Sequence, residues 1–175
     1  MNSGEQTFEN KQQSPAKKER AAPDLLADRH ILVAVDDTES SKRAVLYVAD
    51  FLGEAPGFTV TLLSLVPIPE PDHFQSEGER RAWIDTHHQK MEKLLHRYRQ
   101  ILIQGGFAEE KVAVTVETTE SLSIAEAIIE AQERVGSCTI VVGRHGISKQ
   151  EEFLFGSTSS KLLHMPKNCS LWIVE

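Results

Sequence analysis

From His30 onward, short apolar runs alternate with stretches in which apolar residues recur every three or four positions. HILVAV (30–35) is apolar almost without interruption, which predicts a strand covered on both faces. Ala44, Val45, Val48 and Leu52 then fall at helical spacing over 40–52. FTVTLLSLV (58–66) predicts a second strand, after which Pro67, Pro69 and Pro71 end the pairing and force an extended loop. A long helix is predicted over 78–104, with Trp83, Met91, Leu94, Leu95, Tyr98 and Leu102 along one side and Gly105-Gly106 as its stop. KVAVTVE (111–117) alternates as a third strand. Ile124, Ala127, Ile128, Ala131 and Val135 mark a third helix with Gly136 as its cap. CTIVV (138–142) reads as a fourth strand, 157–164 as a short fourth helix and SLWIV (170–174) as the last strand. Period-two alternation sets Trp172 and Val174 on one face of that strand, with Leu171 and Ile173 on the other.

Strands alternating with helices imply a parallel sheet built from right-handed crossovers, with helices on both faces: a single doubly wound α/β domain over 29–175. The total of 175 residues suits one domain, which buries roughly 70% of the surface its unfolded chain exposes. Residues 1–28 break the pattern. They are rich in Gln, Asn, Ser, Lys and Glu without sustained periodicity, and so read as a disordered polar tail. The short basic run Lys17, Lys18 and Arg20 reads as solvated. No internal repeat is present.

Composition narrows the function classes. With 40% hydrophobic and 26% charged residues the chain is ordinary for a soluble globular protein. A net charge of -7 argues against a nucleic acid or an anionic membrane as partner, since phosphate binding needs a basic face. No apolar stretch approaches the ~18 residues of a membrane span. The N-terminus carries no signal-peptide core, so a cytoplasmic location is expected. Cys138 and Cys169, beside apolar runs and without C-x-x-C spacing, read as buried thiols in a reducing compartment.

In doubly wound folds ligands bind beyond the carboxyl ends of the strands, where the strand order reverses. Two segments leave strands there with suggestive chemistry: Asp36-Asp37-Thr38-Glu39-Ser40-Ser41, and VVGRHGISKQEEFLFGSTSSK (141–161). In the second, Gly143, Gly146 and Gly156 offer bare backbone, and Ser157, Thr158 and Ser159 add hydroxyls at the start of a helix. Glycines and helix-start N–H groups suit an anion such as phosphate. The same residues also read as a turn followed by a helix cap. The P-loop pattern fails because Ser157, not Lys, follows Gly156. G-x-G-x-x-G is absent, and GRHG follows a strand rather than joining two helices as a KH clamp does. His87 and His88 are adjacent on a helix and point about 100° apart, which suits no tetrahedral metal site. His145 reads as a turn residue and His164 as a helix-end cation. Glu77, Glu79, Arg80 and Arg81 read as a solvated face. Asp36-Asp37 offers either a Mg²⁺ site with a nucleotide or a ligand contact plus a cap.

The spacing Gly143-x2-Gly146-x9-Gly156-Ser157 resembles the ATP-binding signature G-x2-G-x9-G-[S/T] of the universal stress protein family. ILVAVDDTESSKRAV is similar to that family's opening strand, LLSLVPIP to its second and MPKNCSLWIV to its last; the resemblance covers about 29–175. It implies a five-stranded parallel sheet in order 3-2-1-4-5 with ATP, or another adenine nucleotide with or without Mg²⁺, in the crevice between strands 1 and 4. Carried over by position, Asp36 and the backbone of Val66 face the adenosine end. Gly143, Arg144, Gly146, Gly156, Ser157 and Thr158 surround ribose and phosphates. The resemblance also implies a homodimer joined through the final strand around Trp172. Three positions depart from the family pattern: Thr119-Glu120-Ser121 replaces a Gly-containing turn, Ser137-Cys138 an acidic residue, and Ser170 a proline.

Three functions follow as expectations. The first is an ATP-binding regulatory protein of the stress-response type, with no catalytic residue. The second is a slow ATP hydrolase, disfavoured because no base is placed for the attacking water and VDDTESS lacks a glycine-rich pyrophosphatase loop. The third is a dimeric interaction module that needs no nucleotide.

Overall fold

A computed structural model describes residues 29–120, 123–144, 158–165 and 168–175. The polar segment 1–28 and the glycine-rich stretch 145–157 lie outside the described residues. Strands β1 (Arg29–Ala34), β2 (Phe58–Pro67), β3 (Val112–Thr119), β4 (Thr139–Gly143) and β5 (Ser170–Val174) form one sheet. Its order is β3-β2-β1-β4-β5, and every pairing is parallel. Helices α1 (Glu39–Leu52), α2 (Glu77–Gln104), α3 (Ile124–Val135) and α4 (Thr158–His164) connect or flank the strands. The fold is the doubly wound α/β sheet with the strand order the family resemblance implies.

The core divides by sheet face, as strand alternation requires. Ile31, Val33, Leu62 and Val141 point to one face under α1 and α2; Leu32, Leu63, Ile140 and Val142 point to the other under α3 and α4. Ala44, Val45, Val48 and Leu52 of α1 are all buried, the stripe that their spacing predicts. On β5, Trp172 and Val174 join the first cluster, and Leu171 and Ile173 the second. The buried residues of α2 all lie in its second half, Met91, Leu94, Leu95, Tyr98 and Leu102, and Trp83 of its first half packs half-buried against the same cluster. Trp83 also stacks on His87 at 3.7 Å between ring centroids and stands edge-on to Phe74, which precedes the helix.

Caps explain the helix limits. Thr38 opens α1 by accepting from Ser41 N, Ser76 opens α2 by accepting from Glu79 N, and Ser123 opens α3 by accepting from Glu126 N. Gly136 closes α3 with φ 67°, a conformation that an L side chain resists.

Two expectations differ from the structure. The second strand runs one residue further than 58–66 and ends within the proline cluster: Pro67 is the last residue of β2, and Ile68 N still donates to Thr119 O at 2.8 Å. A proline at the strand end gives up only its own N–H, so the ladder continues on its neighbours. Cys138 is exposed rather than buried, and Cys169 is half-buried; both are thiols. Cys138 stands in the bend between α3 and β4, ahead of the strand residues that the core buries. Among the described residues, no helix is long and apolar enough to cross a membrane.

Candidate functional site

The switch in strand order falls between β1 and β4. The chain leaves β1 through α1 to β2 on one side, whereas β4 pairs with β1 on the other. Crossovers on opposite sides open a crevice at the carboxyl ends of these two strands. Asp36 stands there, two residues past β1. Its Oδ1 accepts from Thr38 Oγ1 and from Ser41 Oγ, each at 2.5 Å, while Asp36 N donates to Ser41 Oγ at 3.0 Å. Two hydroxyls on one oxygen fix the carboxylate's orientation. Ser40 and Ser41, in the first turn of α1, are buried. The adjacent Asp37 turns outward to Lys90 of α2, with 2.8 Å between charged atoms; both side chains are well exposed, so the pair contributes little to stability.

Gly143 ends β4 against this turn. A Cβ added to it would stand 2.6 Å from the Ser40 carbonyl carbon and 2.8 Å from Ser40 Oγ. The bareness of Gly143 therefore lets α1 begin directly against β4, whatever ligand is present. Arg144 N donates to Val174 O, and Arg144 O accepts from Ser159 Oγ at 2.8 Å, which ties the start of α4 to the end of β4. The Arg144 guanidinium is exposed and pairs with the Glu175 carboxylate. Thr158 is the first residue of α4 and is half-buried.

Val66 is buried, near the end of β2. Strand pleating decides which way its backbone faces. Leu63 O accepts from Val35 N, so odd-numbered residues of β2 present their amides and carbonyls toward β1; Ile68 N, on the even set, donates to β3. Val66 therefore faces β3, in register with Thr118. The backbone that faces the crevice, past the last β1–β2 partners Ala34 and Leu63, is that of Leu65.

Of the site residues expected from sequence, Asp36, Gly143, Arg144 and Thr158 lie at the carboxyl ends of β1 and β4, with Val66 one residue from the crevice-facing backbone; Gly146, Gly156 and Ser157 lie outside the described residues. Residues that sequence reasoning did not place here are Lys90 and Tyr98; Ser159, read from sequence as a hydroxyl at the helix start, donates that hydroxyl to Arg144 O. Burial pushes the Tyr98 phenol above its ordinary value, and the carboxylates of Asp36, Asp37 and Glu39 push it the same way while Arg97 opposes them. Tyr98 on α2 thus lies within the field of the acidic turn. No local signal marks it, because its position in the helical stripe already accounts for it as core. Among the described residues, no three His, Cys, Asp or Glu side chains gather as a metal site requires.

An open parallel α/β sheet whose strand order reverses between β1 and β4 defines the class: a doubly wound α/β protein. The model of the Universal stress protein family matches residues 28–175, and the chain belongs to that family. Solved structures share the fold. A universal stress family protein from Burkholderia pseudomallei superposes with TM-score 0.65 at 16% identity, covering 87% of this chain and 98% of that one. A universal stress protein in complex with cAMP gives 0.60 at 16% identity, covering 85% and 98%. One from Archaeoglobus fulgidus in complex with dAMP gives 0.57 at 15%, covering 84% and 98%. No curated protein matches the chain in sequence.

Proposed function

We propose that the protein binds an adenine nucleotide, ATP foremost, at the carboxyl ends of β1 and β4. It then acts as a stress-response regulator whose nucleotide state other molecules read. The observation that carries this reading is Asp36. Thr38 and Ser41 both bond to its Oδ1, which leaves Oδ2 to accept from an adenine amine or a ribose hydroxyl. The Leu65 backbone beside Val66 offers a second edge for the base. Gly143, Arg144, Gly146, Gly156, Ser157 and Thr158 then surround ribose and phosphates, with Mg²⁺ offsetting phosphate charge. That relatives of the same fold are complexed with cAMP and dAMP supports an adenine ligand.

The protein works in the cytoplasm as a homodimer joined through β5. Supporting this, β5 is the last strand of the sheet, and exposed Tyr47 and Phe51 of α1 stack at 5.6 Å and meet Trp172 edge-on at 6.2 and 6.1 Å. An edge strand beside an exposed aromatic cluster favours pairing with a second copy. The same cluster suits the second reading, an interaction module that needs no nucleotide.

A thermal-shift panel with ATP, ADP, AMP, GTP and cAMP, each with and without Mg²⁺, separates the two. Stabilisation by adenine nucleotides and not GTP is expected. A flat response to every nucleotide, with the dimer intact, leaves the interaction module standing.

A further inference from the structure

The two cysteines begin neighbouring strands: Cys138 directly precedes β4 and Cys169 directly precedes β5. The ladder pairs Thr139 with Ser170, and Ser170 N donates to Cys138 O at 2.9 Å. Cys138 and Cys169 each occupy the bend before their strand, one residue ahead of that first pair. The hydrogen bond holds the two backbones together at an end of the ladder where neighbouring strands lie about 4.8 Å apart. A disulfide spans Cα separations of roughly 4.4–6.8 Å. Ile140 and Leu171, two residues further along their strands, belong to one core cluster. Cys169 packs against that cluster, whereas Cys138 is exposed, so a reagent from solvent meets Cys138 first.

We propose that Cys138 and Cys169 form a redox site, converted by a low-molecular-weight disulfide such as glutathione disulfide into an intramolecular bond. The Cys138 sulfur leans toward the β1 flank and donates to His30 O at 3.3 Å. β4 lies between β1 and β5, so closure requires the Cys138 side chain to turn about χ1 from the β1 flank to the β5 flank. The Cys138 thiolate attacks one sulfur of the oxidant, forms a mixed disulfide and releases one glutathione thiolate. The Cys169 thiolate then attacks the Cys138 sulfur and expels the second glutathione. The protein loses two hydrogens and the oxidant becomes two thiols. The bond fastens the edge strand β5 to β4 at the amino ends of the strands, opposite the crevice at Asp36 and Gly143. It does not rest on the nucleotide reading.

The test uses the full chain, incubated with glutathione disulfide and followed by intact mass, thiol titration and non-reducing peptide mapping. The expected product is a monomeric chain lacking two hydrogens, both thiols gone, with the peptides containing Cys138 and Cys169 linked. Cys138→Ser and Cys169→Ser should each stop at one glutathione adduct. Closure in the folded protein should be more than tenfold faster than in the urea-unfolded chain at the same pH, because the fold already holds the two residues at the same end of neighbouring strands. Stable adducts on the wild type, an intermolecular bond, or closure no faster than in urea would each overturn the proposal.

Discussion

Gly143 and Ser40 touch so closely that a Cβ on Gly143 would stand 2.6 Å from the Ser40 carbonyl carbon. The obstacle is backbone at the first turn of α1, which cannot rotate away as a side chain can. Gly143→Ala should therefore destabilise the protein without any nucleotide, by about 1–3 kcal/mol for overpacking a tight site. The urea midpoint with unchanged m-value measures it. An unchanged midpoint would mean that the contact yields and that Gly143 is bare for the ligand alone.

ATP at about 100 times its dissociation constant should stabilise the wild type by roughly 2.7 kcal/mol. For a domain of this size the unfolding midpoint then rises by about 5–10 °C. Asp36→Ala should abolish most of that rise, and so should Gly156→Val, which sets a branched side chain where phosphate approaches. ATP turnover should stay well below the ~10 s⁻¹ of a median enzyme. A fast Mg²⁺-dependent rate lost in Asp36→Ala would replace the regulatory reading with an enzymatic one.

Trp172 joins the edge strand to the exposed ring pair Tyr47 and Phe51. Trp172→Asp introduces a charge into that cluster, and light scattering should then report a monomer. Phe51→Ala, on the helix rather than the strand, should weaken the dimer without altering the β5 backbone. An unchanged mass for Trp172→Asp would move the interface elsewhere.

Tyr98 contributes an alkaline limb to stability. Its phenol is pushed above the ordinary value of about 10, first by burial and then by Asp36, Asp37 and Glu39. A group whose folded value exceeds its unfolded one stabilises fully below the unfolded value and loses that contribution as pH rises through the folded one. Wild-type stability should fall from about pH 10 upward, whereas Tyr98→Phe, which cannot ionise, should show a flatter curve there. Parallel curves in urea titrations across that range would show that Tyr98 is not coupled to unfolding.

Much of this architecture was legible in short stretches of chain. The stripe of Ala44, Val45, Val48 and Leu52, the left-handed cap at Gly136 and the two-faced alternation of β5 each depend on a period or a backbone preference within a few residues. The candidate site was legible in part for the same reason: Asp36 and the hydroxyls that hold it lie within six consecutive residues, one turn at the end of one strand.

What the tertiary structure decided is the register of each strand pair and which way each backbone faces. A register one residue out turns every amide and carbonyl to the other neighbour, so only the observed pairing could move the crevice-facing backbone from Val66 to Leu65. Gly143 reads as a phosphate glycine in sequence, yet the packing of Ser40 also demands it, a contact between elements far apart in the chain. Cys138 sits beside an apolar run and was expected inside, but it lies in the bend before β4 and stands exposed, near Cys169 at the head of the neighbouring strand. Periodicity along a chain reports how each segment buries its own faces; contacts across strands are set by the order in which those segments assemble.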